Sequence, residues 1–299
     1  MKLNKHFWAL IALTLPLGFV SCSSDEEKED NEVYEFKEPE NKDNAARFVF
    51  DSEETPVQSV AFGESNTAVI EQTNEDGEVE YVVGTYTKQG DTYVVTTPVG
   101  QYSFAVSAAP VSGTTDRVQA VITTPDQPAV TATATKTTAS PSQEPTICNT
   151  WYPFMTTINL TKQGGKGTVT DELPGIDFQA LKARAEKENC YIKDDLEGWA
   201  VDYAFFQGTG EFGVYFTNEK SYFANWRWTS NDGDLNFDWK DKESIKNEFV
   251  NSGKAHAVVY KTGIYKGELW LSLSSEVKQD NGDVWNVELI FRMVDHRIN

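Results

Sequence analysis

The sequence is short of the residues that most often carry chemistry. It has three cysteines and three histidines in 299 residues. No C-x-x-C pair occurs, and with histidine this scarce no zinc site is expected. No G-x-S-x-G elbow marks a nucleophilic serine. Neither His256 nor His296 has a third partner that the sequence can name. A bis-histidine haem clamp would need those two to meet across a pocket, and His296 stands near the C-terminus, where chains fray. Gly164-Gly165-Lys166-Gly167 precedes no strand–helix unit of the kind that cradles phosphate. The reading is therefore of no catalytic residue, no metal and no cofactor. Carboxylate pairs stay open as a catalytic option, because an acidic chain always supplies candidates.

Positive charge is also scarce. There are 26 Lys and Arg against 46 Asp and Glu, a net charge of −20. Such a body repels phosphate backbones, so no nucleic-acid partner is expected. At the N-terminus the apolar run Trp8–Val20 has 13 uncharged residues, short of the ~20 that span a bilayer. Behind Lys2 and Lys5 it reads as the h-region of a secretory signal peptide, residues 1–21. The mature chain then has 278 residues, Cys22 to Asn299, and loss of Lys2 and Lys5 takes its charge to −22.

Val20-Ser21-Cys22 resembles a bacterial lipobox, with Phe19 where that pattern usually has leucine. The resemblance implies cleavage before Cys22, a thioether-linked lipid on its sulfur, and outer-membrane lipid as a partner. Stable residence requires more than one acyl chain. Between Ser23 and Asn44 there are ten Asp or Glu and three Lys. That segment cannot bury enough apolar surface to offset its ordering entropy, so residues 22–44 read as an extended acidic tether. Ser24-Asp25-Glu26-Glu27 resembles the export tag of surface lipoproteins in Bacteroidetes-type bacteria, which implies a lipid-anchored, outward-facing protein of the outer membrane.

With Cys22 lipidated, Cys148 and Cys190 remain. They form a disulfide, adding ~3–4 kcal/mol by chain entropy, or stand as two buried free thiols; the sequence leaves both open. Seven tryptophans lie between Trp151 and Trp285, and none between Ala45 and Ile147. Residues 137–147, with Pro141 and Pro145, read as a linker between an N-terminal β domain (45–136) and a second domain (148–299).

The first domain carries eight short β-branched runs: 46–50, 57–62, 68–72, 79–87, 92–97, 102–108, 117–123 and 129–135. Gly, Asn and Asp separate them, which suits a sandwich or a barrel. The second reads as one strand (151–160), one helix from an Asp177 cap to Asn189, then seven strands. Eight up-and-down strands close well into a small barrel. The fold class is all-β.

Asn149–Leu160, together with the pattern from Phe206 to Thr229, resembles lipocalin-like domains, in which a tryptophan near the start of the first strand plugs the barrel floor. Here that is Trp151. The resemblance covers residues 148–299 and implies an eight-stranded barrel. Pro153 interrupts the first strand, and no glycine stands two residues before Trp151. An internal echo accompanies it: Phe62, Ser65, Asn66 and Ile70 match Phe206, Thr209, Gly210 and Val214, and Gly84–Val95 parallels Asn225–Phe237.

Strand alternation groups Tyr222, Trp226 and Trp228; Leu235, Phe237 and Trp239; and Trp285, Val287, Leu289 and Phe291, with Trp270 opposite Leu269 and Leu271. These aromatics fill the core, or Trp226, Trp228 and Trp239 line a cavity or a stacking platform for sugar rings. Asp232, Asp234, Asn236 and Glu243 have calcium-loop spacing, but Phe237 stands where that loop needs glycine. The expectation is a non-enzymatic, lipocalin-like surface lipoprotein binding a small apolar or carbohydrate ligand or an envelope partner protein. The alternatives are a carbohydrate-active hydrolase with carboxylates in the barrel mouth and a purely structural envelope module.

Overall fold

Polar and apolar residues alternate along short runs broken by turn residues, so neighbouring runs pair as hairpins and bury one face each. The computed structural model describes Pro39 and residues 41–51, 55–138, 145–193, 200–218, 220–230, 232–240, 250 and 252–298. The signal peptide, Cys22, most of the acidic tether and the centre of the linker lie outside those residues. The tether's last residues, Asn41 to Asn44, form a 3-10 turn tied to the first barrel by Asn41 N donating to Glu64 O at 3.0 Å.

The first barrel is β1 (Ala46–Phe50), β2 (Val57–Phe62), β3 (Thr67–Thr73), β4 (Val79–Gln89), β5 (Thr92–Thr97), β6 (Gly100–Pro110), β7 (Arg117–Thr124) and β8 (Gln127–Thr138). Each strand pairs antiparallel with the next, and β8 returns to β1, with Phe50 opposite Ala134. This is a closed barrel and not a sandwich. Phe48, Phe62, Tyr86, Tyr93 and Phe104 fill it, with Phe62 stacked on Tyr93 at 4.0 Å between ring centroids.

The second barrel is β9 (Thr150–Lys162), β10 (Thr168–Pro174), helix α1 (Phe178–Glu186), β11 (Val201–Phe206), β12 (Glu211–Phe216), β13 (Ser221–Trp228), β14 (Asp234–Trp239), β15 (Lys254–Val259), β16 (Glu268–Lys278) and β17 (Val284–Val294). β17 closes on β9 from Val294↔Tyr152 to Trp285↔Lys162. β11 meets β9 only at Ala204↔Trp151 and Phe205↔Thr150, and β10 takes the rest of that edge. The eight-stranded barrel stands, but the helix follows a second strand, β10, which the sequence reading passed over. The reason is physical: only Val169 and Leu173 of that strand pack on the core, and it pairs on one side alone. Asp177 caps α1, accepting from Gln179 N and Ala180 N at 2.9 and 3.1 Å, while Phe178, Leu181 and Ala185 turn into the core. The helix ends at Glu186, short of the expected Asn189, which instead takes a left-handed φ of 61°.

The two barrels meet along the outer faces of β1–β4 and β11–β14. Val69, Val83 and Tyr81 pack on Phe205, Phe223, Tyr203 and Tyr215. Glu211, buried, sits between Arg47 Nη1 at 3.0 Å and Lys240 Nζ at 2.9 Å, and Lys240 also reaches Glu71 at 3.7 Å. Strand register makes this joint pseudo-two-fold. Arg47 lies opposite Ala61 and Thr150 opposite Phe205, each just before the phenylalanine that ends its strand. Thr67 and Glu211 each open the following strand. The contacts Arg47–Glu211 and Thr150–Thr67 (3.3 Å) are thus one contact seen from either side. Register carries the first half of the sequence echo unchanged. It shifts the second by one residue, because Gly84 matches Ala224 and not Asn225.

Candidate functional site

The sequence left the interior of the second barrel open between a filled core and a ligand cavity. Phe206, Phe212, Phe237 and Trp239 form a chain of rings with centroids 4.4–6.0 Å apart. What remains is an apolar cavity of about 60 Å³, walled by Phe178, Phe212, Phe237, Trp239, Leu271 and Phe291 among others, with no carboxylate among the described lining residues. Apolar cavities that take benzene are near 150 Å³, and drug-sized sites run to ~300–1,000 Å³. Closure by Ile176 ahead of the cap and by Phe178 of α1 is part of the reason for the small size.

The three tryptophans proposed as a platform do not share a cavity. Trp239 lines the interior and donates its indole N–H to Val250 O at 2.7 Å. Trp226 is buried and donates to Gln207 O at 2.9 Å. Trp228, half-buried, stands edge-on to Trp226 with centroids 5.6 Å apart. Trp151 is fully buried and donates its indole N–H to Ile147 O at 2.9 Å. Each buried indole N–H in this group is used to hold the barrel together.

Cys148 and Cys190 are free and buried in the same core, in place of the bridge that was one of the two options. Burial raises both thiols, Cys190 to about 11 and Cys148 further with the Glu64 carboxylate nearby, so neither serves as a thiolate nucleophile. Asp234 pairs with His256 Nδ1 at 3.0 Å and accepts from Ser230 Oγ at 3.0 Å, which holds its pKa below the usual carboxylate value. No group of three metal-binding side chains exists among the described residues; Glu243 lies outside them. His296 bonds to its neighbour Asp295 and not to His256.

Two features lie outside the barrel wall. One is a polar groove of about 830 Å³ between the C-terminal end of α1 and the β16–β17 hairpin, lined by residues from Lys182 to Lys193 and from Lys278 to Trp285. The other is an aromatic face on β15–β17 and β9, the side of the barrel that the joint leaves uncovered. There Tyr260, Tyr265 and Trp270 contact one another with centroids 4.7–5.5 Å apart. The Arg292 guanidinium lies 5.0 Å from the Phe154 ring and 5.2 Å from Tyr265 and Trp270. Buried Glu268 fixes the cluster by taking both Arg292 nitrogens at 2.9 and 3.0 Å and the Trp270 indole N–H at 2.7 Å. The loop above it, Tyr260 to Gly267, carries Lys261 and Lys266 and no acid, and lifts Ile264 to 89% exposure. The sequence signal for this face was the outward phase of Trp270 against Leu269 and Leu271; its partners on other strands were not legible. No described helix is long and apolar enough to cross a membrane.

No protein-family model and no curated protein matches the chain. Among solved structures, the chain is similar to a double mutant of the vaccine antigen transferrin binding protein B from Haemophilus parasuis. Identity is 10%, over 81% of this chain and 54% of that one, with a TM-score of 0.23. The chain therefore spans about half the length of that structure.

Proposed function

We propose that the chain is a non-enzymatic, lipid-anchored binding protein of the bacterial outer surface that captures a partner protein on the outside of its second barrel. The observation that carries this reading is the contrast between a 60 Å³ interior and the aromatic face around Trp270. An interior that small favours a filled module over a carrier of enclosed ligands, and no carboxylate stands among its described lining residues. Tyrosine, tryptophan and arginine clustered around a protruding aliphatic side chain make up the composition of an interface hot spot. The partner this face fits presents an apolar recess for Ile264, ringed by carboxylates that meet Lys261 and Lys266. These two lysines mark a locally basic loop on a chain of net charge −20. Anchorage rests on the lipobox-like Cys22 and the acidic segment behind it.

Two measurements test this. Labelled palmitate should enter the wild-type chain and be lost in Cys22→Ser; equal labelling of both removes the anchor. For the docking face, a co-purifying protein is re-purified and its affinity measured for the mature chain, for Ile264→Asp, and for Val99→Asp on the first barrel, where Val99 is also exposed. Loss of about 30-fold, ~2 kcal/mol, in the first variant alone is expected. Equal effects in both variants, or none in either, would sink the docking face.

A further inference from the structure

We infer that the groove between the end of α1 and the β16–β17 hairpin is a binding site for a neutral oligosaccharide. Its inner wall includes Trp285, 7% exposed, whose indole N–H meets no acceptor among the described residues. Buried donors are almost always paired, and this one, closed off from solvent just behind the groove wall, is a donor whose missing acceptor a ligand pressing into that wall would supply. The volume, about 830 Å³, is of ligand size, unlike the barrel interior.

Charge decides which oxygen. The lining holds Lys162, Lys182, Lys193 and Lys278 against Glu186, Glu188, Asp280 and Asp283. Lys162 is paired with Asp283 at 2.6 Å, and Glu188 with Arg184 at 3.1 Å. On a strongly acidic chain this groove is electrically balanced, with donors and acceptors of both kinds. Balance disfavours a phosphate or a polyanion and suits hydroxyl groups, which donate and accept together. A peptide would need a free strand edge or a run of apolar sockets; the apolar part of this lining is only Tyr191, Ile192 and Trp285.

A stacking surface is present as well. Tyr191 is 57% exposed at the rim, and its backbone is held from both sides by Gln279. The Tyr191 N–H donates to Gln279 Oε1 at 3.0 Å, and Gln279 Nε2 donates to Tyr191 O at 3.4 Å. The ring is thus offered by a fixed backbone, which lowers the ordering cost of binding. The chain that builds this wall has no equivalent in the first barrel. There β1 joins β2 through Asp51 to Pro56, whereas β9 joins β11 through Gln163 to Ala200.

The test follows the indole N–H signals of the full mature chain by nitrogen–proton NMR, with Trp285 assigned through Trp285→Phe. The probes are neutral cello-, xylo-, malto- and manno-oligosaccharides of three to six sugars at about 10 mM, far above a weak Kd of ~1 mM. Heparin and a mixed-sequence peptide are run alongside. At least one neutral oligosaccharide should move the Trp285 signal saturably and leave the Trp151 and Trp226 signals in place. Tyr191→Ala, an exposed position that leaves the indole pattern intact, should weaken that binding about tenfold or more. Silence of Trp285 across all four sugar series overturns the inference, as does unchanged binding by Tyr191→Ala. A response to heparin or the peptide alone overturns it too. None of these outcomes depends on the partner-protein face around Trp270.

Discussion

The two barrels build one loop twice and then part company. In the first, Gly63 N donates to Thr67 O at 2.8 Å, Tyr86 N to Asn66 O at 2.8 Å, and the Tyr86 hydroxyl to Gly63 O at 2.8 Å. In the second, Gln207 N donates to Glu211 O at 2.8 Å, Trp226 N to Gly210 O at 2.8 Å, and the Trp226 indole to Gln207 O at 2.9 Å. Asn66 and Gly210 both take positive φ, 64° and 91°. A tyrosine and a tryptophan do the same work because each is a large apolar body with one polar tip at the right reach. The loops also touch: Gln207 Nε2 donates to Thr67 O at 3.0 Å, and Gly208 N to the Glu64 carboxylate at 3.1 Å. What differs is the insertion between β9 and β11, which lines the inner cavity through Phe178 and the groove through Tyr191. Shared residues maintain the frame and the joint, while the unshared segment closes the inner cavity and builds one wall of the outer groove.

The largest expected effect sets two buried core residues against each other. Phe48 and Trp151 occupy equivalent positions and are buried in both barrels. Alanine at either should cost about 3–5 kcal/mol. If the joint couples the barrels, scanning calorimetry shows one transition that both variants lower. Two transitions, each answering to one variant, would break the comparison.

Next comes the joint itself. Glu211→Ala leaves Arg47 and Lys240 without the carboxylate between them and should cost about 3 kcal/mol. Its counterpart Thr67→Ala loses only hydroxyl contacts, about 1 kcal/mol. Equal losses by chemical denaturation would mean that the pseudo-symmetry is geometric and carries no energetic asymmetry. Smaller again, Asp177→Ala removes the cap of α1 and should cost about 1 kcal/mol. It should open the groove to faster amide exchange around Tyr191 and leave the first barrel's exchange unchanged; a global change would show that the insertion is not a local addition.

The gentlest effect is a gain. Burial raises Glu64 above its ordinary value of 4.5, against the bond from Gly208 N that lowers it. A carboxyl raised in the folded state contributes stability that is fully present below 4.5 and is lost as pH rises through the folded value. Glu64→Gln keeps an acceptor for Gly208 and removes the charge. It should melt higher than wild type at neutral pH, with the difference closing as pH falls toward 4.5. A constant difference across that range would rule Glu64 out as the source.

Most of the strand plan was legible. The runs 46–50, 57–62, 92–97 and 284–294 coincide with β1, β2, β5 and β17. Each has a clear alternation ended by turn residues, so local chemistry and tertiary pairing agree. β10 was not legible because its partner strand supplies most of its stability. The groove was not legible either: Tyr191 and Trp285 stand far apart in sequence, and only the wrapping of α1 across the barrel mouth sets them on one wall.

Taken alone, the amino-acid order determined the all-β class, the eight-run plan of each half, the inward phase of Leu235, Phe237 and Trp239, and the echo between Phe62 and Phe206, because alternation and turn chemistry are local properties. Tertiary structure alone decided that Trp151, Trp226 and Trp239 pack the interior, that Cys148 and Cys190 stay apart as thiols, and that Arg47, Glu211 and Lys240 meet at a joint. Those outcomes depend on barrel closure and on how one closed sheet lies against another, and distance along the chain does not encode either.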